Sequence, residues 1–192
     1  MPLLEVVGVT STEMTFAVAF AFVESEKMDN FIWVLEKVKS MLLKEDALPK
    51  VIVTDRDLAL MNAVAKVFPT SSNLLCQFHI RKNVRAKCKT YVYPQDKIEL
   101  VMTAFDSVID SPDEDAYTHR LTHFEDVSAP FSNFIDYVKN TWLNPHRKKC
   151  VAAWIDWVMH LGNTTTNRYA TFDYSYLLVF CTSLITHICW CV

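Results

Sequence analysis

A chain of 192 residues is long enough for one domain with a real core, or for one domain carrying a large insertion. Its formal charge of −3 hides a split: residues 81–89 are basic without a single acid, while residues 106–126 are rich in Asp and Glu, so a polyanion can lie on one face despite the acidic total. Two glycines are too few for a Gly-rich phosphate loop, and six cysteines without a Cys-x-x-Cys pair, behind no charged leader, read as reduced thiols in an intracellular chain, not a secreted disulfide scaffold.

Residues 3–10 and 15–22 are β-rich runs separated by Ser11-Thr12-Glu13, the pattern of an antiparallel hairpin, and both strands are expected to be interior. Asp29 or Asn30 is placed to cap a helix reaching about residue 43, with Phe31, Val34, Leu35, Val38 and Leu42 on one stripe and Lys37, Lys39 and Lys44 towards its end. The run Val51-Ile52-Val53 reads as a short strand buried on both faces, so Asp55 falls where that strand ends, at the edge where open α/β sheets gather ligands. Asp57 is an N-cap for a helix over 58–68, which Pro69 stops.

A second short strand over 74–76 is expected beside the first, with His79 opening a helix that carries Arg81, Lys82, Arg85, Lys87 and Lys89. From 91 to 160 the pattern is helical. Residues 96–109 have helical spacing, Ser111-Pro112-Asp113-Glu114 is a start signal, and 131–142 place Phe131, Phe134, Ile135 and Val138 on one face. The stretch 145–149 is expected to end that helical run before another helix over 151–160. Residues 174–192 hold no formally charged side chain, which raises a membrane anchor; Thr182, Ser183, Thr186 and His187 weaken it, and the expectation is a greasy, poorly packed tail with no membrane partner.

Strand, strand, helix, strand, helix, strand is an α/β order. The run from Val51-Ile52-Val53-Thr54-Asp55-Arg56-Asp57 through Leu58-Ala59-Leu60-Met61-Asn62-Ala63-Val64, then Phe68-Pro69, Cys76-x-x-His79 and Asn83, resembles the transposase domain of plant Mutator-like elements. It is equally similar to the far-red-impaired-response family of transcription regulators descended from them. The resemblance runs from residue 2 to about 168. It implies an α/β, partial ribonuclease-H-like fold: a core over 1–92, a helical insertion over 93–160, and a divergent apolar tail over 161–192. In the family a first strand with the first catalytic aspartate precedes the position matched by Met1-Pro2-Leu3-Leu4, so the sheet is expected to lack its central strand. Residues 161–168 resemble the family again; where it continues into a catalytic Glu, this chain has Tyr169-Ala170.

The resemblance implies three carboxylates holding two divalent cations, Mg²⁺ or Mn²⁺, for phosphodiester chemistry. Asp55 is the family ligand left, catalytic with His79; on spacing alone it is as readily a helix cap. With one carboxylate the metal is not expected to be retained. Cys76 and His79 form the family's Cys-x-x-His signature, and His119-x-x-x-His123 completes a zinc site on paper. Zinc is not expected, because four ligands from distant segments demand a geometry the sequence does not show. His79 is expected to donate to or touch phosphate, Cys76 to be buried packing, and His119 and His123 to be surface residues. Arg81, Arg85 and Lys89 stand at i, i+4 and i+8, a stripe that is either a solvated face or a sequence-independent contact to DNA phosphates. The chain thus reads as a transposase-domain fragment, inactive alone, with self-association through uncovered strand edges; the alternative is a non-enzymatic DNA-associated regulator module. Either implies a nuclear location.

Overall fold

The computed structural model describes residues 1–9, 15–42, 48–158, 160, 162, 164–165 and the backbone of 185–191. They divide into two compact units, one formed by residues 1–76 with those from 159 onward, the other by residues 77–158. The sequence boundary at 92 therefore falls within the second unit.

The first unit is a five-stranded mixed sheet with two helices. Strand β1 (Leu3–Val9) is buried throughout and pairs antiparallel with β2 (Thr15–Phe22). Val6 faces Ala19 and Val7 faces Ala17, so Val18 is an extra residue and β2 is bulged there. Beyond the bulge Phe16 lies opposite Gly8, and a Cβ on Gly8 would overlap the Phe16 ring; glycine is what lets the ring lie across β1. The expectation that both hairpin strands are interior is corrected for β2. It is the outermost strand, and Phe16, Phe20 and Phe22 are exposed.

Helix α1 (Met28–Ser40) buries Phe31, Val34, Leu35 and Val38, the stripe expected from its spacing. Its cap is corrected. Lys27 occupies that position with no side-chain cap, because Asn30 is already in the first turn and its amide donates back to the Ser25 carbonyl (2.8 Å). Strand β3 (Val51–Thr54) is buried at every position. Helix α2 (Leu58–Val67) begins as the sequence requires, Leu60 N donating to Asp57 Oδ1 at 2.6 Å. Helices α1 and α2 pack together over Leu4, Val6 and Ile52 from the sheet, and Lys39 Nζ bridges them, donating to the Val67 carbonyl (2.8 Å) while lying over the Phe68 ring. Strand β4 (Ser72–Leu75) is parallel to β3.

The sheet order is β2-β1-β5-β3-β4, where β5 is Ile185–Cys191. It runs parallel to β1 over seven residue pairs and antiparallel to β3 over four. The expected sheet without a central strand is thus corrected: the position between β1 and β3 is filled, from the C-terminal part of the chain, so those two strand edges are paired. Backbone hydrogen bonding explains why an apolar run behaves this way, since two facing open edges leave donors and acceptors that a β-branched segment satisfies. The tail is therefore not wholly unpacked; its remaining residues, Ala170 among them, lie outside those described. No helix of the described residues is long and apolar enough to cross a membrane.

The second unit is helical: α3 (Gln77–Tyr91), α4 (Lys97–Ile109), α5 (Glu114–Ser128), α6 (Ser132–Val138), a π turn over Lys139–Leu143, α7 (Asn144–Cys150) and α8 (Ala152–Ile155). Helix α3 opens at Gln77, two residues before His79, because Gln77 is held inside: its buried amide donates to the Cys150 carbonyl (2.8 Å). Residues 145–149 do not end the helical run as expected. Pro145 sits in the first turn of α7, directly after the π turn, with the helical run continuing through it. The helix expected over 151–160 shrinks to the single turn α8.

Phe105, Phe124 and Phe134 stack edge-to-face in series, each pair of ring centroids 6.1 Å apart, and join α4, α5 and α6. Arg120 Nη1 donates to the Ser107 and Asp110 carbonyls (both 2.9 Å), closing the end of α4. Phe124, fully buried at the centre of the series, sets the scale of this core: Phe124→Ala should cost about 3–5 kcal/mol in chemical denaturation, and a loss under about 1 kcal/mol would show the series is not structural.

Burial pushes the Cys150 thiol up to about 12 and the Cys88 thiol up to about 11 from an ordinary value of 9.0. A raised acid pKa stabilises the fold below the unfolded value, and that contribution is lost as pH rises from about 9 through the folded values. The difference in denaturation midpoint between wild type and Cys150→Ala should therefore shrink between pH 8.5 and 11; a constant difference would contradict it.

Candidate functional site

Strand β3 delivers Thr54 and Asp55 to the C-terminal edge of the parallel β3–β4 pair. The pairing extends one residue past β4: Cys76 N donates to the Thr54 carbonyl at 2.8 Å, and Thr54 Oγ1 reaches Asn73 Oδ1 at 3.5 Å. Asp55 is half-buried there. Asp57 is committed to α2 through its cap bond, and Asp55 is the carboxylate that directly follows β3. Cys76 is buried, and its Sγ lies 3.6 Å from Thr165 Oγ1. Thr165 thus lies at the end of β4, a juxtaposition that no spacing argument reaches across 89 residues.

His79 belongs to the helical unit, half-buried on the first turns of α3 with its ring edge-on to Phe78 (centroids 5.4 Å). Asp55 and His79 therefore sit in different units. His119 and His123 are exposed on α5.

The basic stripe of α3 meets its counter-charge inside the chain. Arg81 Nε lies 3.0 Å from Asp106 Oδ1 and its Nη2 2.6 Å from Asp110 Oδ1, while its Nη1 donates to Gln77 Oε1 (3.1 Å). Arg85 grips Glu99 with both terminal nitrogens. That hydrogen bond holds the Glu99 carboxyl below its ordinary range and raises the Arg85 guanidinium. Lys82 and Lys89 are exposed. Spacing on α3 showed the stripe but not its partners; the signal available was Glu99, Asp106 and Asp110 on the next helix.

Residues 1–83 match the family model of the MULE transposase domain. The match takes in the motif run from Val51 to Asn83 and ends well before residue 168, where the resemblance was expected to reach. Two relatives extend the likeness. FAR-RED IMPAIRED RESPONSE 1 of Arabidopsis thaliana is 25% identical over 170 residues, which is 88% of this chain and 19% of that protein. The PKS-NRPS hybrid synthetase cheA of Chaetomium globosum is 35% identical over 102 residues, 52% of this chain and 2% of that protein. The chain spans under a fifth of either relative's length. The MULE-matched segment contains β1 to β4, Asp55, Cys76, His79 and Arg81, and stops before Arg85 and Lys89.

A MULE-type site implies Mg²⁺ or Mn²⁺. Such hard cations need several oxygen ligands to offset lost hydration. Asp57 is engaged as a cap, and no three His, Cys, Asp or Glu side chains gather to hold a metal among the described residues, so the described donor set does not fit a two-metal centre. The same holds for zinc: Cys76 and His79 gain no third ligand there.

The ion pairs of α3 predict a stability role for its arginines. Arg81→Gln should cost about 1 kcal/mol, the value expected of partly exposed pairs. Glu99 has a lowered pKa, so its contribution is present above the ordinary 4.5 and is lost as pH falls; Glu99→Gln should flatten the acid limb of the stability profile, measured by denaturation from pH 6 down to pH 3. An unchanged limb would remove Glu99 from the account.

Proposed function

We propose that this chain is a transposase-derived, ribonuclease-H-like module that associates with DNA without cutting it. The observation that carries the reading is the pairing of a MULE transposase match over residues 1–83 with a strand edge that presents Asp55 while Asp57 is engaged as a helix cap. Two-metal displacement needs both an activated nucleophile and a stabilised leaving oxygen, and neither survives an ion that is not held in place. His79, on the first turns of α3, is assigned as a donor to phosphate. Phosphate contact falls to the exposed Lys82 and Lys89, since Arg81 and Arg85 are engaged with α4. A nuclear location follows from the same reading.

One observation favours a regulator over an enzyme remnant: likeness to FAR-RED IMPAIRED RESPONSE 1 covers 88% of the chain, through the helical unit, where the transposase match has ended. In that reading the helical unit is a scaffold for DNA or protein contact.

The chain should show no Mn²⁺-dependent nicking of end-bearing duplex DNA; nicking that disappears in Asp55→Asn would overturn the non-cleaving reading. Its DNA affinity should fall with salt, and Lys82→Gln with Lys89→Gln should reduce the log–log slope by about 2 in total, roughly one per phosphate contact. Arg81→Gln with Arg85→Gln should leave that slope nearly unchanged. The opposite pattern would return the contact to the arginines, and absent binding at low salt would remove DNA from the function.

A further inference from the structure

We propose that α5 carries a two-point chelate for a late transition-metal dication, Ni²⁺, Cu²⁺ or Zn²⁺, formed by His119 and His123. The helix runs unbroken over Glu114–Ser128, started by Asp113, whose side chain accepts from Ala116 N at 2.7 Å. In such a helix residues four apart stand one above the other, about 5–6 Å between Cβ atoms, and two imidazoles at that spacing can converge on one ion. Tyr117, Phe124 and Ser128 bury the other side of α5, so neither histidine contributes to its packing.

The surroundings favour a cation. Asp115, Thr118, His119, Thr122, His123 and Asp126 share one open face of this helix. The two aspartates bracket the histidine pair along the helix, one turn before and one turn after, and supply negative potential, while the hydroxyls offer partners for metal-bound water. Because no three metal-ligating side chains gather among the described residues, the remaining coordination positions belong to water or to an incoming ligand. Imidazole nitrogen selects copper, nickel and zinc over magnesium and manganese, so this site is chemically separate from the carboxylate edge at Asp55. The chelate exists only while α5 is helical, and occupancy therefore stabilises the fold by mass action.

Calorimetric titration of the full chain with NiCl₂ near pH 7.5 should show one saturable site, unaffected by excess Mg²⁺ and weakened on acidification as protons compete for the imidazoles. His119→Ala or His123→Ala should each weaken binding roughly 10-fold or more, since losing a direct ligand costs at least as much as losing a group that only orients one. His119→Gln and His123→Gln keep a polar side chain on the same exposed face, and their metal-free melting should match wild type, which separates loss of the chelate from loss of fold. Saturable binding with these losses supports the site. No saturable binding up to millimolar Ni²⁺, or unchanged affinity in the His119→Ala, His123→Ala double variant, overturns it.

Discussion

Strand β3 is four residues long, and such a strand holds its place only when both of its edges are hydrogen-bonded and both of its faces are covered. Here β4 and β5 supply the edges and every β3 position is buried. The candidate site inherits its geometry from that confinement. Asp55 is positioned because the strand before it cannot shift, and Cys76 is positioned because its N–H closes on the last carbonyl of the same strand. Asp57 then turns the chain into α2, so one short run of Thr, Asp, Arg and Asp ends a strand, presents a carboxylate and starts a helix.

The arginine charge of α3 is an internal matter. A basic helix beside an acidic stretch reads, from sequence, as an asymmetric surface awaiting a polyanion. In the fold the two are neighbours, and the acids of α4 take the arginines of α3. Arginine suits that task, since its fork reaches two acceptors at once, whereas the lysines on the same helix stay in solvent. The division matters for function because a guanidinium already holding two carboxylates must be released before it can hold a phosphate.

What the sequence made legible follows from local physics. The hairpin, the buried strand before Asp55, the Asp57 cap and the apolar stripe of α1 all rest on neighbours within a few residues, and all are present. The misreadings are long-range. Helix α3 opens at Gln77 because of a carbonyl 73 residues away, Pro145 enters a helix because the chain before it is already helical, and Thr165 meets Cys76 across a distance no periodicity encodes. At the site, Asp55 and Cys76 were readable from strand ends; the pairing of Arg81 and Arg85 with α4 required the packing of two helices. The third strand of the sheet order was illegible for a different reason: a segment with no charge has no face to mark, and its place was decided by the two open edges waiting for it.

The direction of β5 also decides where the chain can be handled. Leu3 stands beside Ile185 and Val9 beside Cys191, while Thr54 stands beside Ile188 and Val51 beside Cys191. The start of β1 thus lies at the same end of the sheet as Asp55, and the end of β5 lies at the other. A purification tag or fluorophore joined ahead of β1 would crowd the edge where Asp55 sits, whereas β5 ends at Cys191 on the far side of the sheet.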